Sequence, residues 1–174
     1  MTAGGLPPGA GSCGRFDSRP FDGQAPAPAA GGGSATAPAA PLRVSVLYIE
    51  DNAINAMVME AIVGLRPNVK LRISCDGASA LRDAARELPD LLLVDMHLPD
   101  ADGIDLLAVL RAPPLGCAAP AIVVSAAAGP DDLRRAREAG FAGYWSKPLE
   151  VARVLTELDA LLRGLAPVVD GAAG

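Results

Sequence analysis

Short aliphatic runs alternate with helical patterns along most of this chain, and no other sequence feature limits its fold as much. Five runs have the length and residue content of strands: Val44–Ile49, Val69–Ile73, Leu91–Val94, Ala121–Val124 and Tyr144–Trp145. Helical patterns follow them over residues 55–63, 78–88, 104–110, 130–140 and 151–162. Five βα units, in steps of roughly 20 residues, predict an α/β fold with a doubly wound, five-stranded parallel sheet.

Two of the predicted helices carry more specific signals. The first has apolar residues at helical spacing, which are Met57, Val58, Ala61 and Ile62. The fourth begins with Pro130, a residue suited to the first helical turn, and reaches Gly140, which suits a left-handed residue that ends a helix. These signals predict helices whose ends are defined by local chemistry.

The composition divides the chain into three parts. Residues 1–41 are rich in Gly, Ala and Pro and bury too little to offset the entropy of ordering them, which predicts a disordered tail or linker. Such a tail could tether the chain to something upstream or be dispensable. Residues 42–166 form the predicted domain, and residues 167–174 form a short C-terminal tail.

The charge and the cysteines exclude several classes of partner. The formal net charge is −5, which gives no electrostatic reason to expect direct binding of nucleic acid or of an anionic membrane. No apolar run is long enough to span a bilayer, and no secretory signal begins the chain. Cys13, Cys75 and Cys117 are odd in number and lack metal-ligand spacing, which predicts reduced thiols in a cytoplasmic protein.

Polar residues follow four of the five predicted strands, at the point where each strand ends. Glu50 and Asp51 follow the first strand, Asp95 the third, Ser125 the fourth and Lys147 the fifth. Ligands of doubly wound sheets bind beyond the carboxyl ends of the strands. Lys147 is one of only two lysines in the chain. We therefore expect three carboxylates, a hydroxyl and an ammonium to meet at one edge of the sheet.

This combination of residue types predicts phosphoryl chemistry. Close carboxylates repel each other by about 4 kcal/mol per pair at an effective dielectric near 20, so a cation is needed among them. Carboxylate oxygens suit Mg²⁺, which keeps sites for water and phosphate oxygens. A lysine and a hydroxyl can stabilise a phosphoryl group in transfer, and Asp95 can act as the nucleophile that forms an acyl phosphate.

Four motifs then identify a family. They are YIEDN at Tyr48–Asn52, LVDMHLPDADG at Leu93–Gly103, IVVSA at Ile122–Ala126 and YWSKP at Tyr144–Pro148. In this order and spacing, they resemble a response-regulator receiver domain of two-component phosphorelay systems. The resemblance covers about two-thirds of the chain and implies the flavodoxin-like receiver fold.

The resemblance implies a role for each acidic residue. Asp95 would be the phosphoacceptor and a ligand of Mg²⁺. Asp51 would be a direct Mg²⁺ ligand, and Glu50 would act mostly through metal-bound water. The backbone carbonyl of His97 would supply the third protein oxygen, while its side chain would at most tune the lifetime of the phosphate.

The resemblance also implies a switch and its partners. Ser125 would hydrogen-bond the phosphoryl group, Lys147 would pair with it, and Tyr144 would move inward when Ser125 moves. The bond before Pro148 is often cis in this family. The donor would be a histidine kinase or a histidine phosphotransfer protein. The face formed by the fourth helix, fifth strand and fifth helix would meet a downstream protein or a second copy in a homodimer.

Alternative functions remain open at this point. A pseudo-receiver would use the same fold as a phosphorylation-independent binding module. An aspartyl-nucleophile phosphatase of the dehalogenase type would need a second acid two residues after Asp95, where this chain has His97. The chain could be free-standing or the terminal receiver of a hybrid kinase, and we favour the free-standing form. We expect a phosphoacceptor that slowly loses its phosphate, not a turnover enzyme.

Overall fold

The computed structural model describes residues 43–126 and 129–165, and these residues contain five strands and five helices in alternation. The elements are β1 (Val44–Ile49), α1 (Ala53–Val63), β2 (Val69–Ser74), α2 (Gly77–Arg86), β3 (Leu91–Val94), α3 (Gly103–Arg111), β4 (Ala121–Ser125), α4 (Pro130–Glu138), β5 (Gly143–Ser146) and α5 (Val151–Leu165). The strands pair in parallel in the order β2-β1-β3-β4-β5. The predicted doubly wound sheet is therefore confirmed.

Local chemistry explains where two helices differ from their predicted bounds. The Asn52 side chain accepts hydrogen bonds from the backbone N–H groups of Ile54 (2.9 Å) and Asn55 (3.3 Å). This cap starts α1 at Ala53, ahead of the predicted start. In contrast, α2 stops short of Leu88, because the following Pro89 disfavours the helical conformation of the residue before it.

The sheet is covered on both faces, and each face has its own apolar core. Helices α1 and α5 pack on one face, where the buried residues include Val46, Tyr48, Met59, Val154 and Leu158. Helices α2, α3 and α4 pack on the other, around Leu47, Ile49, Ala80, Leu107 and Ala136. Alternate residues of β1 point to opposite faces, as the pleat of a strand requires.

The packing of α1 differs from the predicted pattern. Of the four apolar residues that suggested this helix, only Ile62 is buried, whereas Met59 and Val63 complete the buried face. Ile54 is 71% exposed and Met57 is 66% exposed. The helix is apolar on nearly all sides, so periodicity could predict its existence but not which residues it buries.

The strand order determines which strand ends are neighbours. The chain passes from β1 outward to β2 and then returns to place β3 on the other side of β1. The backbone N–H of Asp95 donates to the carbonyl of Ile49 (3.0 Å), so the ends of β1 and β3 are level. On the far side, the N–H of Lys147 donates to the carbonyl of Ser125 (2.9 Å). The topological switch point thus lies beside Glu50 and Asp95.

Some predictions concern residues outside the described ranges. These are the tails at residues 1–41 and 167–174 and the thiol of Cys13. Among the described residues, Cys117 is buried and Cys75 is half-buried. Among the helices of the described ranges, none combines the length and the apolarity that crossing a bilayer requires.

An ion pair between Arg66 and Asp159 joins the loop after α1 to α5 and gives a test of the fold. The Nε and Nη2 atoms of Arg66 lie 2.6 and 2.7 Å from the two carboxylate oxygens of Asp159. The hydrogen bond from Arg66 lowers the pKa of Asp159 below its ordinary value of 3.8. A depressed pKa means that the carboxylate stabilises the fold above its ordinary pKa and loses this effect as the pH falls through the folded-state value.

We therefore expect Asp159→Asn to lower the free energy of unfolding modestly at pH 7. The difference from the wild type should shrink as the pH falls below about 4. Urea denaturation of both proteins at several pH values measures this. Glu138→Gln, at an exposed residue of α4, is the matched control and should have little effect. A difference between wild type and Asp159→Asn that stays constant down to pH 2 would contradict the interpretation.

Candidate functional site

Three carboxylates meet where β1 and β3 end. Glu50 and Asp51 follow β1 directly, and Asp95 follows β3, its neighbour in the sheet. One oxygen from each carboxylate lies within 4.8 Å of the others. Glu50 is only 2% exposed and Asp95 only 7%, whereas Asp51 is exposed. The result is an acidic cluster that opens to solvent at Asp51.

Lys147 binds two of these carboxylates. Its Nζ lies 2.6 Å from Oε2 of Glu50 and 2.6 Å from Oδ2 of Asp95, and its side chain is 15% exposed. Burial alone would lower the pKa of Lys147, but the hydrogen bonds and charges of Asp95 and Glu50 outweigh burial and raise it. The ammonium therefore stays charged. The Lys147–Pro148 bond is cis.

The donor set fits a hard divalent cation. All three acidic side chains offer oxygen atoms, the ligands that Mg²⁺ prefers. One ammonium opposes three carboxylates, which leaves two formal negative charges in the cluster. A divalent ion would balance them.

Two further residues hold Glu50, and the sequence interpretation gave neither a role. The hydroxyl of Tyr48 donates to Oε2 of Glu50 (2.5 Å), and the side-chain amide of Asn55 donates to Oε1 (2.6 Å). Burial, followed by the hydrogen bond to Glu50, raises the pKa of Tyr48 far above its ordinary value, so the hydroxyl remains a donor. A usable signal was present: Tyr48 and Glu50 are two residues apart and thus share one side of the chain.

The loop after Asp95 is tied to the cluster and to a distant helix. The backbone N–H of His97 donates to Oδ1 of Asp95 (3.1 Å), and the His97 side chain is exposed. The carboxylate of Asp100 accepts hydrogen bonds from the N–H groups of Gly77 (2.8 Å) and Ala78 (3.0 Å) at the start of α2. This end of a helix favours a negative charge. The loop is therefore held at both its beginning and its middle.

Ser125 and Tyr144 lie on the neighbouring strands. Ser125 is buried at the end of β4, next to β3. Tyr144 lies on β5 and lines a groove between β5 and α4, together with Leu133, Ala136, Arg137 and Phe141. Its hydroxyl is buried and has no hydrogen-bond partner among the residues that the structure describes. The structure therefore places Ser125 at the same edge as the carboxylates and Tyr144 in the groove behind it.

Together, the sheet order, the acidic cluster and the lysine define a receiver-type module. The chain belongs to the response regulator receiver family, since the model of the response regulator receiver domain matches residues 46–159. Receiver domains of this family are phosphoacceptors that bind Mg²⁺ at an acidic pocket and interact with histidine kinases and downstream targets.

Curated relatives include both regulators and kinases. The chain is 34% identical over 119 residues to the transcriptional regulatory protein PrrA of Mycobacterium tuberculosis, covering 68% of this chain and 49% of PrrA. It is 35% identical over 138 residues to the sensor histidine kinase AruS of Pseudomonas aeruginosa, covering 76% of this chain and 14% of AruS. The chain thus spans about half the length of the related regulator and a small part of the kinase.

Solved structures agree on the fold. The response regulator receiver domain protein (CheY-like) of Methanospirillum hungatei superposes with a TM-score of 0.63 at 21% identity, over 71% of this chain and 96% of that chain. The response regulator domain of Thermotoga maritima CheB gives 0.61 at 24% identity, over 71% and 96%. At these identities, the likeness shows the fold alone.

Gly103 gives a test of how tightly the loop after Asp95 is packed. A Cβ at this position would lie 2.6 Å from the backbone oxygen of Asp95 and 3.1 Å from the Cα of Met96. We expect Gly103→Ala to lower the free energy of unfolding by roughly 1–3 kcal/mol, because the loop after Asp95 must shift.

Gly164 is the matched control, since a Cβ there meets nothing within 4 Å and the residue lies in α5. Gly164→Ala should stabilise the protein by about 0.4–1 kcal/mol. Urea denaturation measures both variants. Equal effects of the two substitutions would show that the close approach at Gly103 is not important.

Proposed function

We propose that this chain takes a phosphoryl group from a partner's phosphohistidine onto Asp95, in a Mg²⁺-dependent reaction, and thereby switches a protein-binding surface. The observation that carries the proposal is the position of Lys147, whose ammonium binds both Glu50 and Asp95 within a cluster of three carboxylates. With one ammonium against three carboxylates, the cluster keeps a net negative charge that a divalent cation would neutralise. The bound cation would in turn attract an anion.

The proposed metal site uses oxygen atoms of four residues. Asp51, Asp95 and the backbone carbonyl of His97 would hold Mg²⁺ directly, and Glu50 would act mostly through metal-bound water. The bound ion would neutralise the carboxylates and polarise phosphoryl oxygens. The exposure of Asp51 and the burial of Glu50 support this division, because a ligand that meets an incoming phosphate must face solvent.

The proposed transfer needs only one nucleophile. A carboxylate oxygen of Asp95 attacks phosphorus, the P–N bond of the phosphohistidine breaks, and the imidazole leaves with the electron pair. Lys147 already lies at Asp95 and would pair with a phosphoryl oxygen of the product, and Ser125 would donate its hydroxyl to another. Water later hydrolyses the acyl phosphate, so the chain stores one phosphoryl group and is not a turnover enzyme.

The proposed switch runs from Ser125 to Tyr144. These residues lie on adjacent parallel strands, and Ser125 pairs in register with Ser146, two residues after Tyr144. Movement of Ser125 toward the phosphoryl group would let Tyr144 repack in the groove between α4 and β5. A change in this groove alters the face formed by α4, β5 and α5, where a downstream protein or a second copy would bind. The phosphoryl contacts would shift the populations of two states.

An apolar patch beside the acidic cluster suits the docking of the phosphodonor. Ile54, Met57 and Val58 lie on one side of α1, and all three are exposed. Helix α1 begins two residues after Asp51, so the patch adjoins the open side of the cluster. Exposed apolar groups next to a reactive site are typical of protein–protein contact. A histidine kinase or histidine phosphotransfer protein docked there would place its phosphohistidine near Asp95.

Phosphorylation by a small donor tests the acceptor. We expect acetyl phosphate with Mg²⁺ to add the mass of one phosphoryl group to the wild type, and we expect Asp95→Asn to abolish this addition. Intact-mass spectrometry measures both. Asp105→Asn, at an exposed residue of α3, should behave as the wild type. An unmodified wild type would favour the pseudo-receiver, and continuous phosphate release from varied phosphoesters would favour the phosphatase.

The docking patch has its own test. Met57→Glu should slow phosphoryl transfer from a histidine phosphotransfer protein and have less effect on transfer from acetyl phosphate, because only the protein donor uses the patch. The factor of slowing should be about ten times larger with the protein donor. Val109→Glu places the same charge on an exposed apolar position of α3 and is the control. Equal slowing with both donors would mean that Met57 does not contribute to docking.

A further inference from the structure

The hydrogen bonds to Glu50 occupy both acceptor positions of one carboxylate oxygen and one of the two positions of the other. A carboxylate offers about two acceptor positions on each oxygen. Oε2 accepts from the hydroxyl of Tyr48 (2.5 Å) and from Nζ of Lys147 (2.6 Å), so both of its positions are used. Oε1 accepts only from the side-chain amide of Asn55 (2.6 Å) among the described residues. Glu50 can therefore present one oxygen, but not two, to a cation or to a water molecule that the cation holds.

This restriction discriminates between cations of different coordination chemistry. Mg²⁺ demands a small octahedral site, keeps several waters and binds carboxylates through one oxygen. Ca²⁺ takes six to eight oxygen ligands and often binds a carboxylate through both oxygens. In a cluster of only three acidic side chains, a bidentate Glu50 would bring the ligand number nearer to what Ca²⁺ requires.

We propose that Tyr48 is a specificity-determining residue: by occupying Oε2 of Glu50 together with Lys147, it prevents bidentate chelation and makes the cluster select Mg²⁺ over Ca²⁺. The inference rests on the proposed metal site and adds a role for a residue outside it. Tyr48 acts through Glu50 and is thus a positioning residue. Its ring is fully buried on β1, which holds the hydroxyl at a constant place beneath the carboxylate.

The test is the ratio of Mg²⁺ and Ca²⁺ affinities, measured on the full chain by isothermal titration calorimetry without a phosphodonor. Tyr48→Phe removes the hydroxyl, keeps the ring and leaves Glu50 with two donors. We expect the affinity for Ca²⁺ relative to Mg²⁺ to rise about tenfold, the size of effect that one hydrogen bond to a charged group supports.

Two further variants separate this role from general stability. Ser45→Ala also removes a buried hydroxyl from β1, but at the opposite end of the strand, and should leave the ratio unchanged. Asn55→Ala leaves Oε2 filled, so it should change both affinities together and preserve the ratio. Were Tyr48→Phe to unfold without a cation, saturating Mg²⁺ would stabilise its folded state by mass action, and displacement of Mg²⁺ by Ca²⁺ would then give the same ratio.

The proposal would be overturned if folded Tyr48→Phe had the same ratio of Ca²⁺ to Mg²⁺ affinity as the wild type. It would also be overturned if Asn55→Ala shifted this ratio as much as Tyr48→Phe does. The outcome is independent of phosphorylation. A chain that binds both ions with the expected ratios but takes no phosphate from acetyl phosphate would refute the proposed function and leave this inference standing. A chain that is phosphorylated on Asp95 but shows no shift in ratio would refute only the inference.

Discussion

The contact of Lys147 with Glu50 and Asp95 is the interaction on which the rest of the site depends. Two nearly buried carboxylates lie 2.6 Å from this one ammonium, which offsets their mutual repulsion, because charges of one sign repel strongly where water is excluded. Losing the lysine would leave buried charges unpaired. This would destabilise the fold by far more than the ion pair stabilises it. The cluster is thus a structural element at the sheet edge as well as the candidate functional site.

The topology of the sheet makes this contact available. Asp95 and Glu50 come from adjacent strands, whereas Lys147 comes from an edge strand two positions away from β3. Its long side chain crosses the end of β4 to reach them. Ser125 terminates β4, so it lies at the same edge of the sheet as Lys147. Strand order, not proximity in sequence, therefore brings Asp95, Lys147 and Ser125 to one edge of the sheet.

Polar residues around the carboxylates control how they can be used. Tyr48 and Asn55 hold Glu50, and the backbone of His97 holds one oxygen of Asp95, while Asp51 remains exposed. The structure thus sorts three chemically similar acids into different environments. This sorting underlies the proposed division between direct metal ligands, the phosphoacceptor and a carboxylate that acts through water.

Much of this could be predicted from the sequence because the signals are local. Aliphatic runs predicted the strands, and Gly140 adopts the left-handed φ of +88° expected at the end of α4. The acids and the lysine that end their strands also follow from sequence, since parallel strands end at one edge. The buried face of α1 could not be predicted, because the helix is apolar on nearly all sides. Only packing against the sheet determines that Met59 is buried and Met57 is exposed.

By itself, the sequence determined the βα alternation, the residues at the strand ends and the family to which they belong. Only the tertiary structure decided which atoms meet. In the folded chain, Lys147 binds one oxygen each of Glu50 and Asp95, and Tyr48 donates to that same oxygen of Glu50. One apolar side of α1 stays exposed beside the cluster. The physical reason is that hydrogen bonds and burial depend on distances between residues far apart in the chain, which strand order and helix packing set.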